Sequence, residues 1–173
     1  MTKFLTKAAL AATVATGLFA APAFAAPAGN ANFTAKARIV KPVTLAKLTD
    51  LDFGTVTMNT SIVSEVVTVG NGETDVPVCG SAQLTCAGGG SADFTLTGGV
   101  ASQVVVLSTP TAPTFLTHTN GTNTVPFTVN SIANVTLSTS GAGKFSVGGK
   151  ITVETATVDG DYSAIVNVVA NYL

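Results

Sequence analysis

The sequence predicts an all-β protein, folded as a two-sheet sandwich of immunoglobulin-like type. Three observations support this prediction. No sustained period of 3.6 residues occurs between residues 33 and 173. Period-2 patterns and short apolar runs recur instead, separated by Gly, Asn, Asp and Pro. About ten such segments fit within the length of one domain, as expected for a sandwich. A closed barrel is the competing architecture.

The candidate strands follow one another with turn residues between them. Gly98-Gly99 and Gly148-Gly149 provide turns, and residues 108–124, rich in Thr, Pro and Asn, are expected to form a surface connection. The predicted strands lie near residues 33–40, 51–57, 62–69, 92–97, 101–107, 125–130, 132–138, 144–147, 150–158 and 161–172.

The first 25 residues have the three parts of a secretory signal peptide. Lys3 and Lys7 form a positive region, an apolar stretch covers residues 8–21, and Ala23-Phe24-Ala25 is a small-x-small cleavage site. We therefore expect export to the periplasm and then to the cell surface or the extracellular space. An uncleaved membrane anchor is the alternative, disfavoured because the apolar stretch is short.

The rest of the chain is expected to comprise an extension, residues 26–41, and a β-sandwich domain, residues 42–173. No further apolar run is long enough to cross a bilayer. Eight Lys and Arg against nine Asp and Glu give a formal net charge of -1. The chain therefore offers no basic field for nucleic acid.

Few residues are equipped for catalysis, and we expect no enzyme activity, cofactor or metal. A hydrolytic triad would need His118, the single histidine, which has no carboxylate placed nearby in sequence. Asp50 and Asp52 could bind calcium or perform acid–base chemistry, but such a pair is more often a solvated strand edge. The three glycines at 88–90 lack the context of a phosphate-binding loop.

Cys79 and Cys86 are predicted to form a disulfide, because the compartment is oxidising. A metal site would need more ligands than His118 supplies, and a redox pair would show C-x-x-C spacing. A loop this short is stabilised by roughly 2–3 kcal/mol, so the bond is expected to tighten a loop rather than to hold the domain together.

The C-terminal segment predicts a long strand with one fully apolar face. This pattern belongs to a core strand at the end of the fold. The apolar face consists of Tyr162, Ala164, Val166, Val168, Ala170 and Tyr172.

Gly160 is the fourteenth residue from the C-terminus, and Tyr172 is the penultimate residue. With the alternating run between them, they resemble the last strand of chaperone–usher pilus subunits. The resemblance implies that this strand borders an open groove and pairs with a chaperone strand during assembly.

Residues 33–40 also alternate, and Pro42 separates them from the following segment because proline donates no ladder hydrogen bond. Leu51-Asp52-Phe53-Gly54-Thr55-Val56 resembles an L-x-F-G-x-V element found early in pilin bodies. The resemblance implies that residues 33–40 are a donor strand that completes the sandwich of a neighbouring subunit. Its groove-facing residues would be Phe33, Ala35, Ala37 and Ile39.

Four motifs resemble the bacterial secreted family known as domain of unknown function 4402. They are residues 37–45, residues 51–56, Val147-Gly148-Gly149 and residues 159–163. The resemblance covers nearly all of residues 33–173 and implies no activity by itself. Typical pilins carry a disulfide at their first body strand, whereas both cysteines here lie in one mid-chain loop.

Together these features favour a structural subunit of a cell-surface fimbria or pilus, assembled by donor-strand exchange. Its partners would be copies of itself or related subunits, a periplasmic chaperone and an outer-membrane usher. One alternative is a self-contained secreted sandwich in which residues 33–40 pair within their own chain. Another is a module that binds a carbohydrate or another ligand.

Overall fold

The computed structural model describes residues 29–59 and 63–173. The predicted signal peptide, residues 1–25, lies outside the described residues. The chain divides into two units, Met1–Ala37 and Arg38–Leu173. In the described part of the first unit, all residues are exposed and none belongs to a strand.

The all-β prediction is confirmed, since the described residues contain strands and no helix. Accordingly, no described segment is a helix long and apolar enough to span a bilayer. The strands are β1 Thr44–Lys47, β2 Thr55–Met58, β3 Ser64–Val69, β4 Val78–Cys79, β5 Leu84–Ala87, β6 Ala92–Thr97, β7 Val104–Ser108, β8 Phe115–His118, β9 Thr124–Val129, β10 Val135–Thr136, β11 Gly143–Val147, β12 Gly149–Glu154, β13 Tyr162–Ser163 and β14 Val169–Tyr172.

Antiparallel pairing joins these strands into four sheets. The largest has the order β13-β8-β9-β12-β3-β4. Two three-stranded sheets have the orders β1-β6-β11 and β10-β7-β14, and β2 pairs with β5 in a two-stranded ribbon. The β3–β12 pair has the longest register, from Ser64 opposite Glu154 to Val69 opposite Gly149.

The sheets pack face to face around two apolar cores, as in a β-sandwich. The larger core lies between the six-stranded sheet and the β2–β5 ribbon. Its buried members are Phe53, Val67, Val69, Leu84, Val125, Phe127, Ile151 and Val153. The smaller core lies between the two three-stranded sheets. Its buried members are Leu96, Val105, Leu107 and Leu137.

The alternation of apolar and polar residues in the sequence predicted the central strands correctly. The segment 92–97 is β6 with the predicted bounds, and β3, β7, β9, β11 and β12 lie where strands were predicted, with ends shifted by a few residues. In β3, β7, β9 and β12 the more buried and the more exposed side chains alternate against a core. That arrangement produces the period-2 signal used to predict them.

Four predicted strands differ from the structure. Residues 33–40 form no strand within the described chain. The strand predicted at 51–57 begins only at Thr55, because the Asp52 carboxylate accepts a hydrogen bond from the Gly54 amide at 2.8 Å and turns the chain. The segment 132–138 contains only β10, and the segment 161–172 is divided into β13 and β14.

Four strands lie where none was predicted: β1, β4, β5 and β8. The connection predicted at 108–124 contains β8, which pairs with β9 from Phe115 opposite Pro126 to Thr117 opposite Thr124. These strands are short, with two to four residues each. They depend on ladder bonds to neighbours rather than on an alternating pattern of their own.

Candidate binding groove

An open groove of about 720 Å³ leads from the surface to the larger core. Its floor is apolar and consists of side chains from β9 and β12. These are Val125, Phe127, Val129, Ile151 and Val153. Four of these five side chains, all except that of Val129, are buried members of the larger core, so the groove leads to the core itself.

One wall of the groove is the segment that includes β2. Within the described residues β2 has a single neighbour, β5, with Val56 opposite Cys86. Asp52 precedes β2 and makes two backbone hydrogen bonds with Gly90, at 2.9 and 2.8 Å. This wall is therefore held from one side, and its other edge offers main-chain groups to the groove.

The opposite wall is the first part of the C-terminal segment. Tyr162, Ala164, Val166 and Val168 line the groove, whereas Ile165 points away and is 85% exposed. In the described chain, residues 164–168 belong to no strand ladder, although β13 and β14 on either side are paired. Residues 164–168 thus present an apolar face to the groove, and their backbone groups form no ladder hydrogen bonds.

Beyond the groove, the same segment is anchored in the smaller core. Ala170 and Tyr172 pack against that core, and β14 pairs with β7. The Tyr172 hydroxyl accepts a hydrogen bond from the Val100 amide at 2.9 Å. The penultimate tyrosine therefore ties the end of the chain to the turn before β7.

The start of the same segment is held by His118, a contact that no pattern in the sequence predicted. Nδ1 of His118 accepts a hydrogen bond from the Asn120 amide at 2.9 Å, so Nε2 carries the proton and donates to the Asp159 carbonyl at 3.0 Å. The imidazole also packs edge-on against the Tyr162 ring, with centroids 4.9 Å apart. The sequence contained one signal of this contact, Gly160, since a Cβ at this position would collide with the His118 ring.

The Cys79–Cys86 disulfide is present, as predicted. Cys79 lies in β4 at the edge of the six-stranded sheet, opposite Val67, and Cys86 lies in β5, opposite Val56 of the groove wall. The bond closes a short loop, and this loop runs from one sheet to another. The bond attaches the β2–β5 ribbon, and with it one wall of the groove, to the main sheet.

Residues 43–172 match a protein family described as Domain of unknown function (DUF4402). The chain belongs to this family. The resemblance inferred from the four sequence motifs is thereby confirmed. Neither the curated proteins nor the solved structures contain a significant match to the chain. The matched region of this DUF4402 protein includes both groove walls, the groove floor and both cysteines.

The two acidic residues considered as an ion site have other contacts in this DUF4402 domain. Asp50 forms an exposed ion pair with Lys47, and the Asp52 carboxylate accepts a hydrogen bond from the Gly54 amide. Among the described residues, no group of three or more His, Cys, Asp and Glu side chains could hold a metal ion. Both aspartates instead line the groove.

The family match begins at residue 43, after the predicted donor strand at residues 33–40. Phe33 is 92% exposed and Ile39 is 96% exposed. Ala35 and Ala37 are exposed as well, and residues 29–43 belong to no strand. An alternating apolar face therefore lies in solvent immediately before the DUF4402 domain.

Proposed function

We propose that this DUF4402 protein is a structural subunit of a cell-surface filament and that its subunits join by donor-strand exchange. In this reaction residues 33–40 of one molecule occupy the groove of the next. The proposal rests on one pairing of features: an apolar groove beside unpaired backbone, and an alternating segment of the same chain with its apolar face exposed.

The groove has the chemistry that a strand requires. A docked strand forms main-chain hydrogen bonds along a free sheet edge, and alternate side chains fill the apolar space beside it. Residues 164–168 supply such an edge, and the floor of β9 and β12 supplies the apolar surface. Exposed strand edges are a hazard for aggregation, so an occupant of this edge would also protect the subunit from unspecific pairing.

The segment has the complementary pattern. Phe33, Ala35, Ala37 and Ile39 lie on one face of an extended chain because side chains alternate with period 2. Burying Phe33 and Ile39 contributes about 1.5–3 kcal/mol each. The alanines contribute less and let the backbone approach the floor closely.

Length also fits. An extended segment rises about 3.3 Å per residue, so residues 33–40 would span about 26 Å and the wall at 162–168 about 23 Å. Donation to the next molecule joins the end of one subunit to the groove of another. This head-to-tail contact does not close on itself, and repetition produces a filament.

Export is part of the proposal. A chain with the predicted signal peptide would enter an oxidising compartment, where the disulfide between Cys79 and Cys86 is stable. A chaperone strand would cover the groove before assembly, and an outer-membrane usher would release the growing filament. The role is structural and requires no catalytic residue.

The test is a pair of adjacent substitutions in the segment. Ile39→Asp places a charge on the apolar face and should abolish subunit ladders on denaturing gels of unheated samples. Val40→Asp introduces the same charge on the opposite face and should leave the ladders intact. Export, measured as periplasmic protein, should be equal for both variants.

The groove gives the reciprocal test. Val166→Asp alters the lining and should block ladders, while Ile165→Asp, on the exposed side of the same segment, should not. Ladders that persist in both Ile39→Asp and Val166→Asp would refute donor-strand exchange.

A second candidate function is binding of a small apolar ligand by a self-contained sandwich. The groove volume of about 720 Å³ lies within the range of small-molecule sites and favours this reading. In that case Val166→Asp would weaken ligand binding, whereas Ile39→Asp would change nothing and no variant would form ladders.

A further inference from the structure

We propose that Asp159 and Asp161, at one end of the groove, attract the basic side chains Arg38 and Lys41 of the incoming segment. This attraction would set the direction of the segment and speed its capture. The inference rests on the proposed function, since it takes the segment of a second copy as the occupant of the groove.

The segment before the DUF4402 domain carries charge of one sign. Lys36, Arg38 and Lys41 are exposed, and residues 29–49 contain no Asp or Glu. Lys36 and Arg38 alternate with the apolar residues, so they would point away from the groove floor when the apolar face is buried. These two cations would therefore lie along the rim, in contact with solvent, and Lys41 follows directly after the strand-forming residues 33–40.

The groove carries charge of the opposite sign. Of the residues that the structure describes, four aspartates and one cation, Lys47, belong to its lining. Lys47 forms an ion pair with Asp50, and the Asp52 carboxylate accepts a hydrogen bond from the Gly54 amide. Asp159 and Asp161 are exposed, and neither forms an ion pair among the described residues.

The free carboxylates and the neutralised pair lie toward opposite ends of the groove. The two walls run in opposite directions, because the larger core includes Val56 with Tyr162 and the smaller core includes Leu45 with Tyr172. Asp161 directly precedes the wall at 162–168. The Lys47–Asp50 pair lies on the other wall. In sequence it stands between Leu45, which packs against the smaller core, and Val56, which packs against the larger core.

This arrangement distinguishes the two directions in which a strand could enter. A segment antiparallel to residues 162–168 brings its C-terminal half, with Arg38 and Lys41, beside Asp159 and Asp161. A parallel segment brings the same cations beside Lys47, Asp50 and Asp52, which together carry one negative charge, against two for Asp159 and Asp161. Attraction between opposite charges therefore selects the antiparallel direction.

The expected effect is mainly on rate. Charges at a solvated rim are screened by salt and contribute little to affinity, but they steer encounters between complementary surfaces. Removing the carboxylates should therefore slow capture of the segment and should have less effect on its dissociation.

The experiment uses the full chain carrying Ile39→Asp as the acceptor, because this variant keeps the groove and cannot donate. The probe is a fluorescent synthetic peptide of residues 31–42. Its association rate should fall about tenfold when Asp159→Asn and Asp161→Asn are combined with the acceptor substitution. The rate for the unaltered groove should fall steeply with added salt, and the rate for the altered groove should fall less.

A matched control neutralises two acids outside the groove lining, with Glu73→Gln and Glu154→Gln. This control changes the net charge of the acceptor equally, and the peptide should associate with it at no less than half of the original rate.

A second peptide tests the direction of binding. The substitutions Asn32→Lys, Thr34→Lys, Arg38→Thr and Lys41→Thr keep the peptide's net charge but move the cations toward its N-terminal half. It should bind the unaltered groove several times more slowly.

Two outcomes overturn the charge inference and leave the proposed function standing: equal rates for the two groove forms, or equal rates for the two peptides. If the unaltered peptide binds neither groove form, both the inference and the proposed function fail.

Discussion

Gly160 illustrates a residue whose role depends on a partner far away in the sequence. Its φ of +140° is unfavourable for residues other than glycine, and a Cβ would collide with the imidazole of His118. The imidazole in turn holds Asp159 and packs on Tyr162, at the start of the groove wall. A small residue at position 160 is therefore needed to position that wall.

Replacing Gly160→Ala should lower the free energy of unfolding by about 3 kcal/mol, because it combines backbone strain with displacement of His118. Chemical denaturation of the purified chain measures this loss. Gly121→Ala is a matched control, since Gly121 also has a positive φ, +76°, but has open space around a Cβ. The control should lose about 1–2 kcal/mol, from strain alone. Equal losses would show that the His118 contact contributes nothing.

At the scale of elements, β2 and β5 form the smallest of the four sheets in the described chain. β2 pairs with β5 over four residues and has no other neighbour among the described strands. The ribbon is attached to the six-stranded sheet by packing on the larger core and by the Cys79–Cys86 bond. The disulfide thus fixes the position of one groove wall.

Replacing both cysteines, Cys79→Ser with Cys86→Ser, should reduce stability by roughly 2–3 kcal/mol and should loosen β2 more than the central strands. Hydrogen exchange measures both effects. Amides of Thr55–Met58 should exchange faster by a larger factor than those of Thr124–Val129, which serve as the internal control. A uniform acceleration over all strands would contradict a local role for the bond.

At the scale of the whole molecule, the proposed function implies that a subunit reaches full stability only after assembly. The groove opens onto the larger core and is lined by apolar side chains, and residues 33–40 expose apolar side chains. Both surfaces would be buried in the filament. Burial of two large side chains alone provides about 3–6 kcal/mol per subunit.

Assembled wild-type subunits should therefore unfold at a temperature about 10 °C or more above that of the monomeric Ile39→Asp chain. Differential scanning calorimetry measures this difference. The Val40→Asp chain, assembled in the same way, should behave like the wild type. Equal unfolding temperatures for assembled and monomeric chains would mean that the segment adds no stabilising contacts.

Local patterns in the sequence were sufficient for the fold class, the central strands and the disulfide. Alternation along 92–97 depends on one strand and the core beneath it, so the pattern can be recognised without knowing the partner strand. The cysteines needed only an oxidising compartment and a short separation. The alternating face from Tyr162 to Tyr172 also followed from period 2 alone.

The tertiary structure decided which segments pair and what remains open between them. Residues 162 and 172 belong to one pattern, yet their strands join different sheets, and the intervening residues 164–168 line the groove. His118 meets Gly160 and Asp52 meets Gly90 only because the chain returns to the same place after some forty residues. Periodicity reports how a strand faces a core, whereas a groove is formed by the relative positions of distant segments, which no local pattern encodes.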